Sequence, residues 1–373
     1  MTTKILCNRF RKILFIFTSL KAHNICFIMD IVKIERKIDM AVTIRDVAKK
    51  AGVAPSTVSR VVADSSSISD KTKLKVRKAM EELNYFPNVN AQGLASNRSK
   101  TFGLVLPLAT DAFYQNPFFP TVLRGINEGM SKNDYSILIS TGRTNAQRLN
   151  HIQKIVHGKQ VEGLIFLYAT KNDPLLNFAQ EVGIPAVVIG SPESIKVNIV
   201  DNDNETLGKL STHHLIDLGC QRIAYIGGDA EQFFIQDRYN GYRQALLENN
   251  IAFNKDDIFN DFVFLPVDGY NLAKNQLNLD EYDGMVIADE LIGEGIQMAL
   301  QEANRQDIKT ITFKSYKDTL NNAVAQEAYI NLNTQLLGSR AVEILFETIN
   351  EPGDNKNRFI HEYVDAELVS TYE

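Results

Sequence analysis

Residues 43–62 predict two short helices joined by a tight turn, and this pattern limits how the first part of the chain can fold. Thr43 and Asp46 have the spacing of a helix-capping box, with Asp in place of the usual Glu. Gly52 stands where the first helix should end, because glycine accepts the left-handed backbone found there. Pro55 suits the first turn of the second helix, where a backbone N–H has no helical partner. The segment therefore predicts a helix-turn-helix.

A third helix is predicted over residues 70–85, with lysines crowding its first half and Pro87 ending it. Apolar residues at helical spacing give the three helices a common core. The predicted core residues are Ile44, Val47, Ala48, Ala51, Val58, Val61, Val62, Val76, Ala79, Met80 and Leu83. A three-helix bundle of this kind can present its second helix to the major groove of DNA.

Residues 87–100 predict a linker that contains one short hinge helix. Residues 88–97 are too few for an isolated helix, which is marginal below ~12–15 residues, and Gly93 weakens it further. We therefore expect the hinge helix to become ordered only against a partner.

Charge is distributed unevenly along the chain, whose formal net charge is −5. Residues 41–100 carry 11 Lys and Arg against 5 Asp and Glu, whereas residues 101–373 carry 21 against 37. A short basic module joined to a long acidic body indicates that one part meets a polyanion and the other does not. The 3 cysteines are too few for a disulfide framework, and no apolar stretch is long enough to span a membrane.

Residues 1–40 begin with basic residues and a short apolar run over residues 13–17, which resembles the opening of a signal peptide. Polar residues soon interrupt that run, and no clear cleavage site follows it. We interpret residues 1–40 as an extension outside the native protein, with Met40 as the initiator. A poorly ordered native extension is the second interpretation and export is the third.

Residues 101–373 alternate short apolar stretches with amphipathic, helix-like stretches. Strands are predicted at residues 102–106, 136–139, 163–167, 186–189, 223–226, 284–287 and 310–313. This alternation predicts parallel sheets covered by helices, and the length fits two such lobes side by side. Ligands of such sheets bind at the carboxyl ends of the strands, so the cleft between the lobes is the expected site.

Several of these segments match one family. Residues 42–62 (VTIRDVAKKAGVAPSTVSRVV) resemble the DNA-binding head of LacI/GalR-type repressors. Residues 83–88 (LNYFPN) and 91–95 (AQGLA) are similar to the end of that family's third helix and to its hinge helix. In the body, the likeness continues at residues 116–119 (NPFF), 125–126, 200–202 (VDN), 215–224, 238–242 (RYNGY) and 289–295 (DELIGEG).

The resemblance implies a small all-α helix-turn-helix head and a hinge helix, followed by a periplasmic-binding-protein-like α/β body of two parallel-sheet lobes. The implied domains are residues 41–86 for the head, 87–100 for the hinge helix and linker, and 101–373 for effector binding and dimerisation. The chain is expected to cross between the lobes near residue 200 and again within residues 315–333.

The resemblance also implies roles for residues of the head. Pro55, Ser56 and Arg60 match base-reading positions, and an arginine can donate two hydrogen bonds to guanine. A second set matches positions that hold phosphates, which fix the register without reading sequence: Thr43, Thr57 and Ser59.

In the hinge, Asn88 and Ala91 match positions near the minor groove, and Leu94 matches a leucine that opens a base step. The implied partner is near-palindromic, double-stranded operator DNA bound by a homodimer, because two-fold protein symmetry imposes two-fold site symmetry.

In the body, Arg238 matches an arginine that reaches the hydroxyl groups of a sugar in family members, and a planar fork of donors suits neighbouring oxygens. Asp289 or Glu290 matches the acceptor that faces it. Phe118 and Tyr168 lie near strand ends and could stack on sugar faces, although aromatic residues are more often part of a core.

The sequence thus predicts a cytoplasmic, nucleoid-associated repressor controlled by a small sugar, most like maltose-operon repressors of Gram-positive bacteria. Two alternatives stay open: a global carbon catabolite regulator with a phosphocarrier-protein corepressor, and a sugar-binding protein without a DNA role. No enzyme, metal or cofactor is expected, because His213 and His214 are adjacent on a predicted helix and point apart, and Cys220 is a lone core thiol.

Overall fold

The computed structural model describes residues 42–87, 98–107, 114–140, 142–170, 172–192, 196–260, 263–316, 328–350 and 358–370. The chain divides into two units, residues 1–96 and residues 97–373, and each has its own fold. The predictions for residues 1–40 and for the hinge helix over residues 88–97 lie outside the described residues. Within the described ranges, no helix has the length and apolar character needed to cross a membrane.

The described part of the first unit, residues 42–87, contains three helices, α1 (Ile44–Ala51), α2 (Pro55–Val62) and α3 (Asp70–Glu82). The predicted capping box is present: Asp46 Oδ2 accepts from the Thr43 amide at 2.9 Å and from its hydroxyl at 2.6 Å. Gly52 ends α1 with a φ of 60°, and Pro55 is the first residue of α2. The predicted core is confirmed, since all of its residues are buried or pack against buried ones.

The end of α3 differs from its prediction. The helix stops at Glu82 rather than at residue 85, so Pro87 does not end it. Asn84 takes a left-handed φ of 49°, and the Tyr85 amide donates back to the Met80 carbonyl at 2.8 Å. Asparagine tolerates this conformation better than most residues, and the turn satisfies carbonyls that the helix leaves open.

The described residues of the second unit form twelve strands and eight α-helices. In chain order they are β1 (Thr101–Val105), α4 (Phe118–Lys132), β2 (Ser136–Ser140), α5 (Asn145–His157), β3 (Gly163–Phe166), α6 (Pro174–Val182), β4 (Ala186–Ile189), β5 (Asn198–Asp201), α7 (Asn204–Asp217), β6 (Ile223–Ile226), α8 (Phe233–Glu248), β7 (Ile258–Phe259), α9 (Pro266–Asn275), β8 (Gly284–Ile287), α10 (Glu290–Glu302), β9 (Lys309–Lys314), β10 (Ala328–Asn331), α11 (Thr334–Asn350), β11 (His361–Tyr363) and β12 (Glu367–Ser370).

These elements form two lobes, each built on a six-stranded sheet. Lobe 1 has the strand order β11-β5-β4-β3-β1-β2, and lobe 2 has the order β12-β10-β9-β8-β6-β7. The central strands of each sheet are buried on both faces, because helices cover them on either side. The chain passes from lobe 1 to lobe 2 between β5 and α7, returns between β10 and α11, and crosses once more between β11 and β12.

All seven predicted strands are present, within one residue at each end. Five strands were not predicted: β5, β7, β10, β11 and β12. β7 has only two residues, and at least half of the residues in β5, β11 and β12 are polar, so these strands show no clear pattern. One of these, β12, pairs antiparallel with β10, so the expected parallel pairing fails at that edge. The expected fold class is confirmed: a helical head precedes an α/β body of two mainly parallel sheets.

Candidate functional site

In the first unit, α2 exposes one face and buries the other. Val58 and Val61 fix the helix against α1 and α3. Pro55, Ser56, Ser59 and Arg60 are exposed, and Thr57 is half-buried. The candidate contact face predicted for this helix is therefore accessible.

The Arg60 side chain makes no hydrogen bond or ion pair with the residues that the structure describes, so no carboxylate there holds its guanidinium. Two neighbouring cations differ from it. Lys73 and Arg77 both pair with Asp64, at 3.0 and 2.8 Å. Asn88, Ala91 and Leu94, the predicted hinge contacts, lie outside the described residues.

In the second unit, a cavity of 380 Å³ lies between the two lobes. Its walls come from the carboxyl ends of β3, β4, β8 and β9 and from the first turns of α4, α8 and α10. The residues predicted to bind a ligand all line it: Phe118, Tyr168, Arg238, Asp289 and Glu290. The fold thus brings together side chains that are up to 172 positions apart in the sequence.

Arg238 is buried in the lobe 2 wall, with 5% of its surface exposed. Its Nε donates to Asn204 Oδ1 at 2.9 Å and its Nη1 donates to the Ala288 carbonyl at 2.6 Å. The guanidinium also lies over the rings of Phe313 and Phe234, 3.9 and 4.9 Å from their centres. Nη2 has no hydrogen-bond partner in the described part of the chain, which leaves a donor for a ligand.

Neither Asp289 nor Glu290 forms an ion pair with Arg238 among the described residues. Asp289 caps α10 by accepting the Leu291 and Ile292 amides at 2.8 and 3.3 Å. Glu290 accepts from the Ser315 hydroxyl at 2.7 Å. Burial raises the pKa of Asp289 to about 6 and that of Glu290 to about 7, because the charged forms lose their hydration. The open choice between the two acids is therefore not decided by contact with Arg238.

Asp201 also lines the cavity, and this carboxylate was not predicted from the sequence. It accepts from the Asn202 amide and the Asn204 side chain through Oδ1, and from the Ser191 hydroxyl through Oδ2. Burial raises its pKa to about 6. Because Asn204 also accepts from Arg238, it links Asp201 at the end of β5 to the arginine of α8.

Aromatic rings cover much of the remaining wall. Phe118 and Phe119 contribute from lobe 1, with ring centres 5.4 Å apart, and further rings come from lobe 2. Sugars present polar edges and weakly polar C–H faces, so aromatic rings beside buried acids and an arginine suit them. The sequence signals for this wall were residues 116–119, which lead into α4, and residues 238–242, which lie within α8.

Two family models match the chain. Bacterial regulatory proteins of the lacI family match residues 43–88, and the periplasmic binding proteins and sugar-binding domain of the LacI family match residues 99–364. Both matches follow the division into a helical unit and a two-lobed unit.

Individual proteins are also similar. The HTH-type transcriptional regulator MalR of Streptococcus pneumoniae is 44% identical over 318 residues, covering 85% of this chain and 95% of that protein. A solved complex of the transcriptional regulator CelR with cellobiose is 25% identical, with a TM-score of 0.65, covering 88% of this chain and 98% of that one. The lac repressor dimer bound to operator, 24% identical with a TM-score of 0.74 over 89% of this chain and 98% of that one, shares the fold.

Proposed function

The chain belongs to the LacI family of bacterial DNA-binding transcriptional regulators, and on this premise we propose that it is a repressor whose operator affinity is set by a small sugar. A homodimer would place two heads on the two halves of a near-palindromic operator. Maltose or a related α-glucoside is the proposed sugar. We also propose that the protein acts in the cytoplasm, at the nucleoid, where operator DNA is found.

The exposed face of α2 supports the DNA-binding part of the proposal. Arg60 stands there without a competing carboxylate in the described residues, while small hydroxyl side chains beside it can approach the phosphate backbone closely. The basic balance of residues 41–100 adds a sequence-independent attraction to the DNA backbone.

The observation that carries the sugar proposal is the chemistry of the interlobe cavity. Its 380 Å³ suit a small ligand, and Arg238 offers an unpaired donor beside three buried carboxyls. None of the three carboxyls forms an ion pair with a cation among the described residues. A neutral, hydroxyl-rich ligand can donate to the acids and accept from the arginine, which an apolar ligand cannot.

Maltose is proposed on a narrower basis. The MalR of Streptococcus pneumoniae, at 44% identity, aligns over nearly its whole length. The similar regulator CelR was solved as a complex with cellobiose, a disaccharide. Maltose and cellobiose therefore make a direct comparison, since they differ in the geometry of one linkage.

The test measures operator binding with and without sugar. Selection from random duplexes at low salt would yield the operator, and fluorescence anisotropy would then give its affinity in the presence of maltose, cellobiose or glucose. We expect a change in operator affinity of at least about tenfold with maltose, which corresponds to ~1.4 kcal/mol of coupling. Selection of no sequence would contradict the DNA proposal, and an unchanged affinity with every sugar would contradict the sugar proposal.

Arg238→Ala provides the site-specific arm of this test. It should abolish the maltose response and leave sugar-free operator affinity intact. Arg243→Ala is the matched control, because Arg243 lies on the same helix and is exposed outside the cavity. A maltose response that survives Arg238→Ala would remove the arginine from the site.

A further inference from the structure

Asn116 spans the cleft and uses both ends of its side-chain amide. Its Oδ1 accepts from the Phe118 amide at 2.9 Å, in the first turn of α4 in lobe 1. Its Nδ2 donates to Asp289 Oδ2 at 2.9 Å, in lobe 2. The residue has 7% of its surface exposed, so water competes poorly for these two bonds.

Asp289 is held equally firmly on the opposite wall. Its Oδ1 accepts the first amides of α10, and only Oδ2 is directed to Asn116. The amide and the carboxylate therefore join the N-terminal turns of two helices from different lobes. The two residues are 173 positions apart, and their bond closes one side of the cavity that both residues line.

The chemistry of the pair is directional. An amide Nδ2 donates to a carboxylate oxygen, and a bond to a charged acceptor is stronger than one between neutral groups. Because burial disfavours a charged Asp289, the donor from Asn116 compensates part of the lost hydration. Opening the lobes would break the bond and separate the carboxylate from this donor.

We propose that Asn116 is a positioning residue that binds Asp289 across the cleft and holds the two lobes together before any sugar enters. The bond then sets how far the sugar-free body is closed. A consequence for sugar binding rests on the proposed function. A body that is already closed should bind sugar more tightly, because less of the binding free energy is needed to bring the lobes together.

Asn116→Asp tests the bond with little change in shape. The aspartate keeps an oxygen that can accept from the Phe118 amide, but it replaces the donor to Asp289 by a second carboxylate oxygen. Asn116→Ser is a second variant, since its hydroxyl can serve the same turn but is too short to reach Asp289. Thermal unfolding of both variants would establish that they are folded.

The direct measurement is the distance between the lobes without sugar or DNA. Spin labels on cysteines replacing Lys132 in lobe 1 and Gln301 in lobe 2, both exposed, would report it by pulsed electron resonance in full-length protein whose own cysteines are changed to serine. An excess of unlabelled chain keeps the observed pairs within one molecule. We expect Asn116→Asp and Asn116→Ser to lengthen or broaden the distance distribution, and an unchanged distribution in both would overturn the proposal.

Asn278→Asp is the matched control. Asn278 also donates from its amide to a carboxylate, that of Glu281 at 2.8 Å, but both residues lie within lobe 2. This variant should leave the interlobe distance unchanged. Calorimetric titration with maltose gives the second readout, for which we expect at least about tenfold weaker binding in the Asn116 variants. If wild-type protein binds no maltose, the proposed function fails while the distance measurement still decides the role of Asn116.

Discussion

The guanidinium carbon of Arg238 lies 3.9 Å from the centre of the Phe313 ring, on the lobe 2 wall of the cavity. Burial lowers the pKa of Arg238 to about 10, which still leaves the side chain charged at neutral pH. The ring face, the Asn204 side chain and the Ala288 carbonyl replace the water that the arginine loses. Phe313 therefore holds a buried cation in place as well as forming part of the wall.

Phe313→Leu should weaken maltose binding by roughly 2- to 30-fold, the equivalent of a cation–π contact of ~0.5–2 kcal/mol. Leucine retains an apolar side chain but offers no ring face to the guanidinium. Isothermal titration calorimetry would measure the change. Phe253→Leu is the control, because Arg243 lies 5.2 Å from that ring in a part of lobe 2 outside the cavity. Equal effects of the two substitutions would argue against a local role for Phe313.

Arg60→Ala should reduce discrimination between the operator and a single-base variant by ~1–3 kcal/mol, because the lost bonds read one base pair. Anisotropy titrations on both duplexes would give this difference. Arg77→Ala is the control, because it also removes a charge from this domain. The Arg77 guanidinium already binds Asp64, so the substitution should leave discrimination unchanged. If Arg60→Ala weakens both duplexes equally, Arg60 contacts the backbone rather than a base.

Glu290→Gln should stabilise the protein relative to wild type as the pH rises from 5 to 8. Burial raises the pKa of Glu290 from 4.5 to about 7, so the folded state binds more protons than the unfolded state between these values. The wild-type acid therefore loses stability as the pH rises through this window, and the neutral amide does not. We expect a relative gain of order 1–3 kcal/mol at pH 8 from urea unfolding at each pH.

Glu302→Gln controls for the loss of a carboxylate. Glu302 is exposed, and its hydrogen bonds with Tyr270 and Lys274 hold its pKa below the usual value. The contribution of Glu302 to folding stability is therefore fully present above the usual pKa of a glutamate, and it is lost only as the pH falls below that value. The difference between Glu302→Gln and wild type should therefore stay flat from pH 5 to 8, and a flat response of Glu290→Gln as well would contradict the burial argument.

Gly228→Ala should reduce sugar affinity by narrowing the cavity. A Cβ on Gly228 would lie 2.1 Å from the Phe264 ring, which lines the cavity, so the ring would have to move. A loss of about tenfold or more in maltose affinity is expected for a displaced aromatic wall. Adding Phe264→Leu replaces the displaced ring with a smaller side chain, so the double variant should recover part of the lost maltose affinity. A Gly228→Ala protein with unchanged affinity would show that the ring can shift away from the ligand.

The head was predictable because its signals are local. The capping box of Thr43 and Asp46, Gly52 and Pro55 each act within one or two turns, and the structure contains all of them. The end of α3 was misplaced because Asn84 stops the helix with a left-handed turn before Pro87 is reached. Likewise, β10 pairs with β9 on one side and with β12 on the other, and no local pattern in the sequence records these pairings.

The sequence alone determined the helix-turn-helix, the alternation of strands and helices, and the residue types that a sugar site needs, since these depend on neighbours a few positions apart. Only the tertiary structure decided which of them meet. It placed Asn116 against Asp289 and Asn204 between Asp201 and Arg238. Burial by distant segments then raised the pKa values of the cavity acids, because hydration is lost only when the lobes pack around them.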